Sequence, residues 1–259
     1  MSAMRLTIVG CSGSYPGPES PASCYLVEAD GVDESGEQRT WRIVLDLGNG
    51  ALGALHRYAD PLAVDAVLLS HLHADHCIDM ASYYVLRKWH PSGPQPRIPV
   101  WGPKGTARRL AKAYDLPKKP GMQEEFAFRR YRDRFAVGPF TITPVPVDHP
   151  VPAYGLRIQV GDAVLAYTGD TGRTDALLDL ARDADLLLAE ASFRDGDDNP
   201  PSLHLTGREA GETAARSRAK RLVVTHVPPW HDADAILAEA KGAYDGPAEL
   251  ARPGAVYPL

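Results

Sequence analysis

The chain has 259 residues, a formal net charge of −5 at pH 7, and 44% hydrophobic and 24% charged residues. This composition is typical of a globular protein with a large buried core, and we expect one domain over residues 1–259. The acidic balance disfavours a general nucleic-acid binder, and without an apolar run of 18 residues no transmembrane helix is expected. The three widely spaced cysteines indicate free thiols, and no leader-like apolar region precedes the first strand, so we expect a cytoplasmic protein.

Strand-type runs dominate the first seventy residues, and helical segments follow. Strands are predicted at residues 5–9, 24–28, 41–47, 64–69 and 99–101. Helices are predicted at residues 51–58, 78–89 and 106–114. The polar stretch 30–40 is predicted to be a hairpin loop, and the weakly patterned stretch 116–134 a lid or surface excursion.

The second half repeats this organisation. Strands are predicted at residues 140–147, 156–160, 164–167, 186–189 and 222–225. Helices are predicted at residues 175–184, 207–217 and 234–244. A β-rich chain with helices late in each half predicts an α/β protein in which two mixed β-sheets pack together with helices outside, an αββα sandwich.

One run holds three histidines and an aspartate within six consecutive positions, directly after the strand predicted at 64–69: Ser70-His71-Leu72-His73-Ala74-Asp75-His76. Side chains two apart on an extended segment point the same way, so His71 and His73 are predicted to face one metal ion. The turn that follows directs Asp75 and His76 to a second ion, because imidazole and carboxylate are natural ligands for zinc and similar cations. The alternative is a solvated polar loop.

Three further candidate ligands, His149, Asp170 and His226, each follow a strand-like run. Strand ends at one edge of a sheet converge, and a two-metal hydrolase needs about three ligands for each ion. Gly169 and Gly172 allow a tight turn around Asp170, whose carboxylate can bridge two ions. Each of these residues alone is more often a turn or surface residue, but with the upstream run we interpret them as ligands.

In this order the candidate ligands resemble the ligand series of the metallo-β-lactamase superfamily, over the whole chain. The resemblance implies an αββα fold with a dinuclear site between the sheets. The implied ligand sets are His71, His73 and His149 for one metal, Asp75, His76 and His226 for the other, and Asp170 as the bridge. Two divalent metal ions per chain are therefore expected, zinc first, with manganese or iron as alternatives.

A narrower resemblance involves Glu190 and His204. The segments 189–192 and 203–206 resemble the branch that contains the tRNA 3′-processing endonucleases and their phosphodiesterase relatives. The resemblance implies that His204 protonates the leaving oxygen and that Glu190 orients His204. This suits phosphodiester cleavage, because the departing alkoxide needs an acid. The alternative for His204 is a residue beside a helix start with no chemistry.

Several segments resemble the actinobacterial atypical class II cyclic-nucleotide phosphodiesterases, namely 10–14 with 20–23, 52–55, 70–77, 203–211 and 225–230. The resemblance makes a 3′,5′-cyclic nucleotide, cAMP first, the expected substrate and a nucleoside 5′-monophosphate the product. The expected nucleophile is a metal-activated hydroxide, which Asp75 helps to orient. The turn Ser12-Gly13-Ser14 is a candidate substrate-binding segment, since backbone amides in such turns bind anions. A plain tight loop is the alternative.

Other activities stay open. A tRNA 3′-processing endonuclease needs a gripping arm and a basic surface, and the stretch 117–134 is short for such an arm, so nucleic acid is disfavoured as a partner. Hydrolysis of a lactone, thioester or sulfate ester is a further possibility, and a non-catalytic binding module is disfavoured by the intact ligand set. The resemblance also implies a homodimer, and no membrane partner is expected.

Overall fold

Runs of alternating or continuous apolar residues form fourteen strands in the computed structural model, which describes residues 3–259. In chain order the strands are β1 (Arg5–Gly10), β2 (Cys24–Val32), β3 (Gln38–Leu45), β4 (Ala66–Leu68), β5 (Ile98–Gly102), β6 (Phe126–Arg130), β7 (Phe135–Val137), β8 (Phe140–Pro146), β9 (Tyr154–Val160), β10 (Ala163–Tyr167), β11 (Leu186–Glu190), β12 (Leu222–Thr225), β13 (Ala248–Leu250) and β14 (Val256–Pro258).

Seven α-helices and one 3-10 helix, Pro61–Ala63, connect these strands within residues 3–259. The α-helices are α1 (Ala51–Leu55), α2 (Ala74–Cys77), α3 (Met80–Lys88), α4 (Thr106–Ala113), α5 (Ala176–Ala181), α6 (Gly207–Ser217) and α7 (Ala233–Ala243). A capping box starts α6, in which the Glu209 amide donates to Thr206 Oγ1 and the Thr206 amide donates to Glu209 Oε2. No helix in the described part of the chain is long and apolar enough to cross a bilayer.

The strands form two mixed sheets of seven strands each. The first has the order β14-β1-β2-β3-β4-β5-β6 and the second the order β13-β12-β11-β10-β9-β8-β7. In the first sheet β3 to β6 run parallel, and in the second β10 to β13 run parallel, while the remaining pairs are antiparallel. The carboxyl ends of parallel strands meet at one sheet edge, which is where such folds place ligand sites.

The core consists of three hydrophobic clusters, one between the two sheets and one on the outer face of each sheet. Alternate residues of β3 show this, since Ile43 and Leu45 lie in the cluster between the sheets while Val44 packs outward. The outward cluster of the first sheet contains residues of α1, α3 and α4, and that of the second sheet contains residues of α5, α6 and α7. The predicted αββα sandwich of two mixed sheets is therefore confirmed.

Three local predictions were wrong. The hairpin loop predicted at 30–40 is shorter, because β2 and β3 remain paired as far as Val32 and Gln38. The hydroxyl of Thr40 donates to Asp30 Oδ1 across this extension, at 2.8 Å. Polar side chains that pair across the two strands thus extend the pairing of β2 and β3 into a segment whose polar sequence is typical of a turn.

The stretch 116–134 was predicted to be a lid or surface excursion, but residues 126–130 form β6, which pairs in parallel with β5. Phe126 is fully buried there, so the segment closes the edge of the first sheet. The helix predicted at 78–89 corresponds to α3, and a separate short helix, α2, precedes it. The candidate ligands Asp75 and His76 therefore lie on α2 rather than in a turn.

Candidate metal centre

Three histidines, His71, His73 and His149, come together from two segments of the chain. His71 and His73 follow β4, and His149 lies in the connection between β8 and β9. His73 Nδ1 lies 3.0 Å from His71 Nε2 and 3.3 Å from His149 Nε2. Three ring nitrogens within 4.8 Å of one another form a group suited to one metal ion.

A second group consists of Asp75 and His76 on α2, Asp170 after β10, and His226 after β12. His226 Nε2 lies 3.1 Å from His76 Nε2 and 3.1 Å from Asp75 Oδ2. All four residues are buried. This group also offers one ligand atom from each residue within 4.8 Å, so it too is suited to a cation.

Asp170 lies between the two groups. Its Oδ1 atom is 3.2 Å from His76 Nε2, and its Oδ2 atom is 3.7 Å from His71 Nε2. The connection that holds Asp170 is joined to that of His149, because the Gly172 amide donates to the Asp148 carbonyl oxygen at 2.7 Å. One carboxylate oxygen thus faces each group, the arrangement that a bridging ligand requires.

The ring nitrogens that face the centre carry lone pairs, as metal ligation demands. Ser192 Oγ donates to the carbonyl oxygen of His226, so His226 Nδ1 must donate to Ser192 Oγ, at 2.8 Å, and its Nε2 is unprotonated when the ring is neutral. In the same way Ser70 Oγ donates to Asp46 and accepts from His71 Nδ1 at 3.1 Å. The backbone carbonyl of Leu203 accepts from His149 Nδ1 at 2.9 Å.

Unprotonated nitrogens about 3 Å apart cannot hydrogen bond to each other, so they need a cation between them. Asp170 Oδ1 is buried and has no hydrogen-bond partner, which leaves a further lone pair facing the same space. Burial lowers the pKa of His71 and His149, which keeps both rings neutral. Burial opposes ionisation of Asp75, but the adjacent rings of His226 and His76 outweigh it and hold the pKa of Asp75 well below its usual range. The residues present therefore fit divalent metal ions.

Asp46 supports the centre and was not predicted from the sequence. It is fully buried after β3, and its Oδ2 atom accepts from His76 Nδ1 at 2.8 Å. A carboxylate behind a ligating histidine fixes the ring and raises its basicity. The detectable signal in the sequence is an aspartate placed directly after an apolar strand, in Val44-Leu45-Asp46. Ser70 and Ser192 were also missed, and a lone serine carries no comparable signal.

Two glycines permit close approach of the backbone around the centre. A Cβ atom at Gly48 would lie 2.0 Å from the carbonyl oxygen of Asp75, and one at Gly13 would lie 2.1 Å from that of His226. Any larger residue at either position would displace the segment that bears a candidate ligand. His226 itself has φ 59°, a left-handed conformation that the Gly13 turn packs against.

Glu190 and His204 form a pair beside both groups. His204 Nδ1 donates to Glu190 Oε1 at 2.9 Å and lies 4.0 Å from Asp170 Oδ2. Glu190 is fully buried at the end of β11 and also accepts from the amides of Thr171 and Ser192. Burial lowers the pKa of His204, but the Glu190 carboxylate outweighs it and raises that pKa to about 9.

Of the turn Ser12-Gly13-Ser14, only Ser14 borders the cleft over the centre. That cleft, of about 200 Å³, is otherwise lined by Leu203 and by the candidate site residues. The amides of Ser12 and Gly13 donate to the carbonyl oxygens of Pro21 and Val227 and are not free to bind a phosphate. The Ser14 amide lies 3.4 Å from His226 Nε2. The structure thus narrows the candidate substrate-binding turn to Ser14.

The family profile described as the Beta-lactamase superfamily domain matches residues 41–227, which carry every candidate ligand. The chain belongs to the β-lactamase superfamily. An uncharacterized protein of Mycobacterium leprae is 43% identical over 99% of this chain and 89% of its own length. The probable metallo-hydrolase YhfI of Bacillus subtilis is 30% identical over 98% of this chain and 99% of its own length. The Ribonuclease Z of Myxococcus xanthus is 27% identical over 98% of this chain and 97% of its own length.

Solved structures agree with this superfamily assignment. The crystal structure of YhfI matches with a TM-score of 0.84 at 27% identity, over 99% of both chains. The short form of human tRNase Z matches with a TM-score of 0.73 at 20% identity, over 98% of both chains. Unliganded yeast PDE1 matches with a TM-score of 0.72 at 13% identity, over 100% of both chains. The last two show the shared fold. This superfamily member is a metallo-hydrolase of the tRNase Z and YhfI branch.

Proposed function

We propose that the chain is a phosphodiesterase that uses two divalent metal ions to hydrolyse a 3′,5′-cyclic nucleotide, with cAMP as the favoured substrate and AMP as its product. The observation that carries the proposal is the Glu190–His204 pair, 2.9 Å between Oε1 and Nδ1, beside two groups of metal-binding side chains. Cleavage of a phosphodiester needs positive charge at the phosphoryl oxygens and a proton for the departing alkoxide, and this centre supplies residues for both.

His71, His73 and His149 would hold one ion, Asp75, His76 and His226 the other, and Asp170 would contact both. When bound, the ions supply Lewis acidity and lower the pKa of water toward neutrality. Their identity follows from availability as much as from the ligands, with zinc favoured and manganese or iron also compatible with histidine and carboxylate.

His204 is the proton donor in the proposed reaction. Its Nδ1 is engaged by Glu190, so its Nε2 is the nitrogen that transfers a proton to the 3′-oxygen as the P–O3′ bond breaks. The raised pKa of His204, about 9, keeps the ring protonated at neutral pH. Asp75, ionised and 3.1 Å from His226 Nε2, helps to orient the attacking water on the opposite side of the phosphorus.

The size of the cleft also favours a small substrate. It measures about 200 Å³, a volume that suits a phosphate and part of a ribose. Ser14 at its rim offers a hydroxyl to the substrate. A homodimer, as the family resemblance implies, is part of the proposal.

The first test is hydrolysis of cAMP by the metal-loaded protein, with the product separated by chromatography. We expect AMP from the wild type, loss of turnover in Asp75→Ala, and a decrease of about 10²- to 10⁴-fold in His204→Asn, since one positioned acid contributes that much. His56→Ala removes an exposed histidine outside the centre and serves as the matched control. A metal-loaded wild type that forms no AMP would refute the cyclic-nucleotide substrate.

Processing of tRNA 3′ ends is the second candidate, and one surface favours it. Lys104, Arg108, Arg109 and Lys112 surround a cleft that reaches Leu72, the residue between His71 and His73. Arg109 Nε donates to the Leu72 carbonyl oxygen at 3.4 Å, so this basic surface adjoins the metal centre. Four positive charges beside the centre suit a polyanionic substrate.

The same assay separates the two candidates when precursor tRNA is added as a second substrate. If tRNA is the substrate, the double variant Arg108→Ala/Lys112→Ala cleaves tRNA much more slowly than the wild type. The cleavage rate of the variant also depends less steeply on salt concentration. If a cyclic nucleotide is the substrate, the double variant still forms AMP at nearly the wild-type rate, and precursor tRNA stays intact with the wild type.

A further inference from the structure

A second positively charged cleft lies away from the metal centre. It measures about 610 Å³ and is lined by four arginines, Arg39, Arg42, Arg87 and Arg97, and by a single carboxylate, Asp65. Apolar side chains, among them Leu62 and Ile98, form the rest of its wall. Four guanidinium groups around one acid give this cleft a positive potential, which favours anions.

Two of the four arginines already have carboxylate partners. Arg39 forms an ion pair with Asp65, and Arg42 Nε lies 3.1 Å from Glu28 Oε1. Neither Arg87 nor Arg97 forms an ion pair with a carboxylate within residues 3–259. Two positive charges therefore face this cleft without an acidic partner.

Arg87 is the more informative of these two, because its side chain is only 1% exposed. Nη1 donates to the Tyr83 hydroxyl at 3.2 Å and Nη2 to the Pro96 carbonyl oxygen, while Nε has no hydrogen-bond partner. Burial of a charge with neutral partners only is costly, and such a group normally meets a counter-charge. Arg87 sits at the end of α3 with its guanidinium in the wall of the cleft.

The cleft lies at the sheet edge opposite the metal centre. Asp65 immediately precedes β4 and Arg97 immediately precedes β5, whereas His71 follows β4. At about 3.3 Å per residue, the backbone from Asp65 to His71 spans about 20 Å. A ligand in this cleft is therefore separate from a substrate at the metals.

We propose that this cleft binds a phosphate-bearing anion with at least two negative charges. Guanidinium forks match phosphate oxygens in pairs, and two negative charges balance Arg87 and Arg97. The exposed Arg97 donates to the ligand at the rim of the cleft, and the buried Arg87, whose charge has no acidic partner, adds positive potential from behind its wall. The apolar wall around Leu62 and Ile98 accommodates an organic group attached to the phosphates.

The test is calorimetric titration of the full-length, metal-loaded protein with inorganic pyrophosphate and, separately, with ADP. We expect binding by the wild type and at least tenfold weaker binding by Arg97→Ala. Arg57→Ala, which removes an exposed arginine outside the cleft, should bind like the wild type. Tighter binding of ADP than of pyrophosphate would show that the apolar wall holds an organic group, and equal binding would show that the phosphates suffice.

Pyrophosphate can also bind the metals, so His73→Ala is titrated in parallel. Binding that persists in His73→Ala and weakens in Arg97→Ala supports the proposal. Binding that disappears in His73→Ala and is unchanged in Arg97→Ala would place the anion at the metal centre and overturn it. Absence of binding to the wild type would overturn it as well. Because Arg97 is exposed, its removal should leave the fold intact, and an unchanged melting temperature checks this.

Discussion

Asp46 shows how a single buried residue controls the candidate ligands. Its carboxylate accepts from the Ser70 amide and hydroxyl, each at 2.7 Å, from His76 Nδ1 at 2.8 Å, and from the Tyr167 hydroxyl at 2.7 Å. Four donors converge on one carboxylate that is shielded from water, so its position is fixed. Through His76 and Ser70 this residue contacts the segment that begins both ligand groups.

We expect Asp46→Asn to weaken metal binding by about 10- to 100-fold, the usual effect of changing the partner behind a ligating histidine. The amide keeps the size of the carboxylate but removes the charge that orients His76. Competition with a coloured zinc chelator measures the affinity. Asp198→Asn, at an exposed position, is the control, and equal zinc affinity in Asp46→Asn and wild type would contradict the role given to Asp46.

Glu190 sets the pH range in which His204 carries a proton. Its carboxylate raises the pKa of His204 to about 9, so the proton donor stays charged below that pH and is lost above it. In Glu190→Gln the amide oxygen remains an acceptor, but the negative charge is absent. We therefore expect the alkaline decline of kcat/KM to move to lower pH. Coincident alkaline limbs for variant and wild type would exclude this coupling.

At the residue scale, ligands that are clustered in the sequence were predicted, whereas a residue that reaches the centre only through packing of the strands was missed. His71 and His73 stand two apart after a strand, so strand geometry predicted that they face one side, whereas Asp75 and His76 were expected in a turn and lie on α2. Asp46 comes 30 residues before His76 and meets it only because β3 and β4 are neighbours. Such a contact depends on strand order, which a single sequence does not reveal.

Among the elements, long strands with apolar runs were predicted and short edge strands were not. Besides β6, the strands β7, β13 and β14 were missed; these three have three residues each, and in β13 no residue is fully buried. They form because a neighbouring strand offers free backbone donors and acceptors, as when β14 pairs with Thr7 and Leu6 of β1. Pairing of this kind leaves no hydrophobic periodicity to read.

The helices show the same dependence on context. α6 was predicted with its bounds, and the structure shows that Thr206 and Glu209 form a capping box at its start. α2 has only four residues and no side-chain cap at His73, so the ligand segment looked like a turn. What holds α2 is the connection after β3, whose Leu47 amide donates to the His76 carbonyl oxygen at 2.8 Å.

For the whole molecule, bound metal should be a large part of the stability. The candidate ligands come from connections after strands of both sheets, so ions at this centre would join the two halves of the sandwich. Ligands at a thousandfold excess over Kd stabilise a fold by about 4 kcal/mol, which is on the order of 10 °C in melting temperature at this size.

We therefore expect chelation with EDTA to lower the melting temperature by on the order of 10 °C, measured by calorimetry. Restoring zinc or manganese should reverse the change. His71→Ala should respond much less to EDTA, whereas His56→Ala, outside the centre, should respond like the wild type. An unchanged melting temperature on chelation of demonstrably metal-loaded protein would contradict the structural role of the ions.

The overall architecture could be predicted from the order of strands and helices in the sequence. Surfaces formed by segments far apart in the sequence could not be predicted in this way. The αββα sandwich was predictable because strands and late helices alternate in both halves. The four arginines of the anion cleft come from β3, α3 and the residue before β5, and nothing in their spacing links them. The single domain and the homodimer stay predictions.

The contact between the Gly13 turn and His226 bears on the order in which the two ligand groups are completed during synthesis of the chain. His71, His73 and His149 are all synthesised well before His226, so a nascent chain holds a complete first ligand set and an incomplete second one. His226 reaches its place only when β12 has joined the second sheet and its amide has bonded to the Cys11 carbonyl oxygen, at 3.0 Å. A second ion would therefore bind only after His226 has reached its place, and a chain that stops before His226 would lack part of the second ligand set.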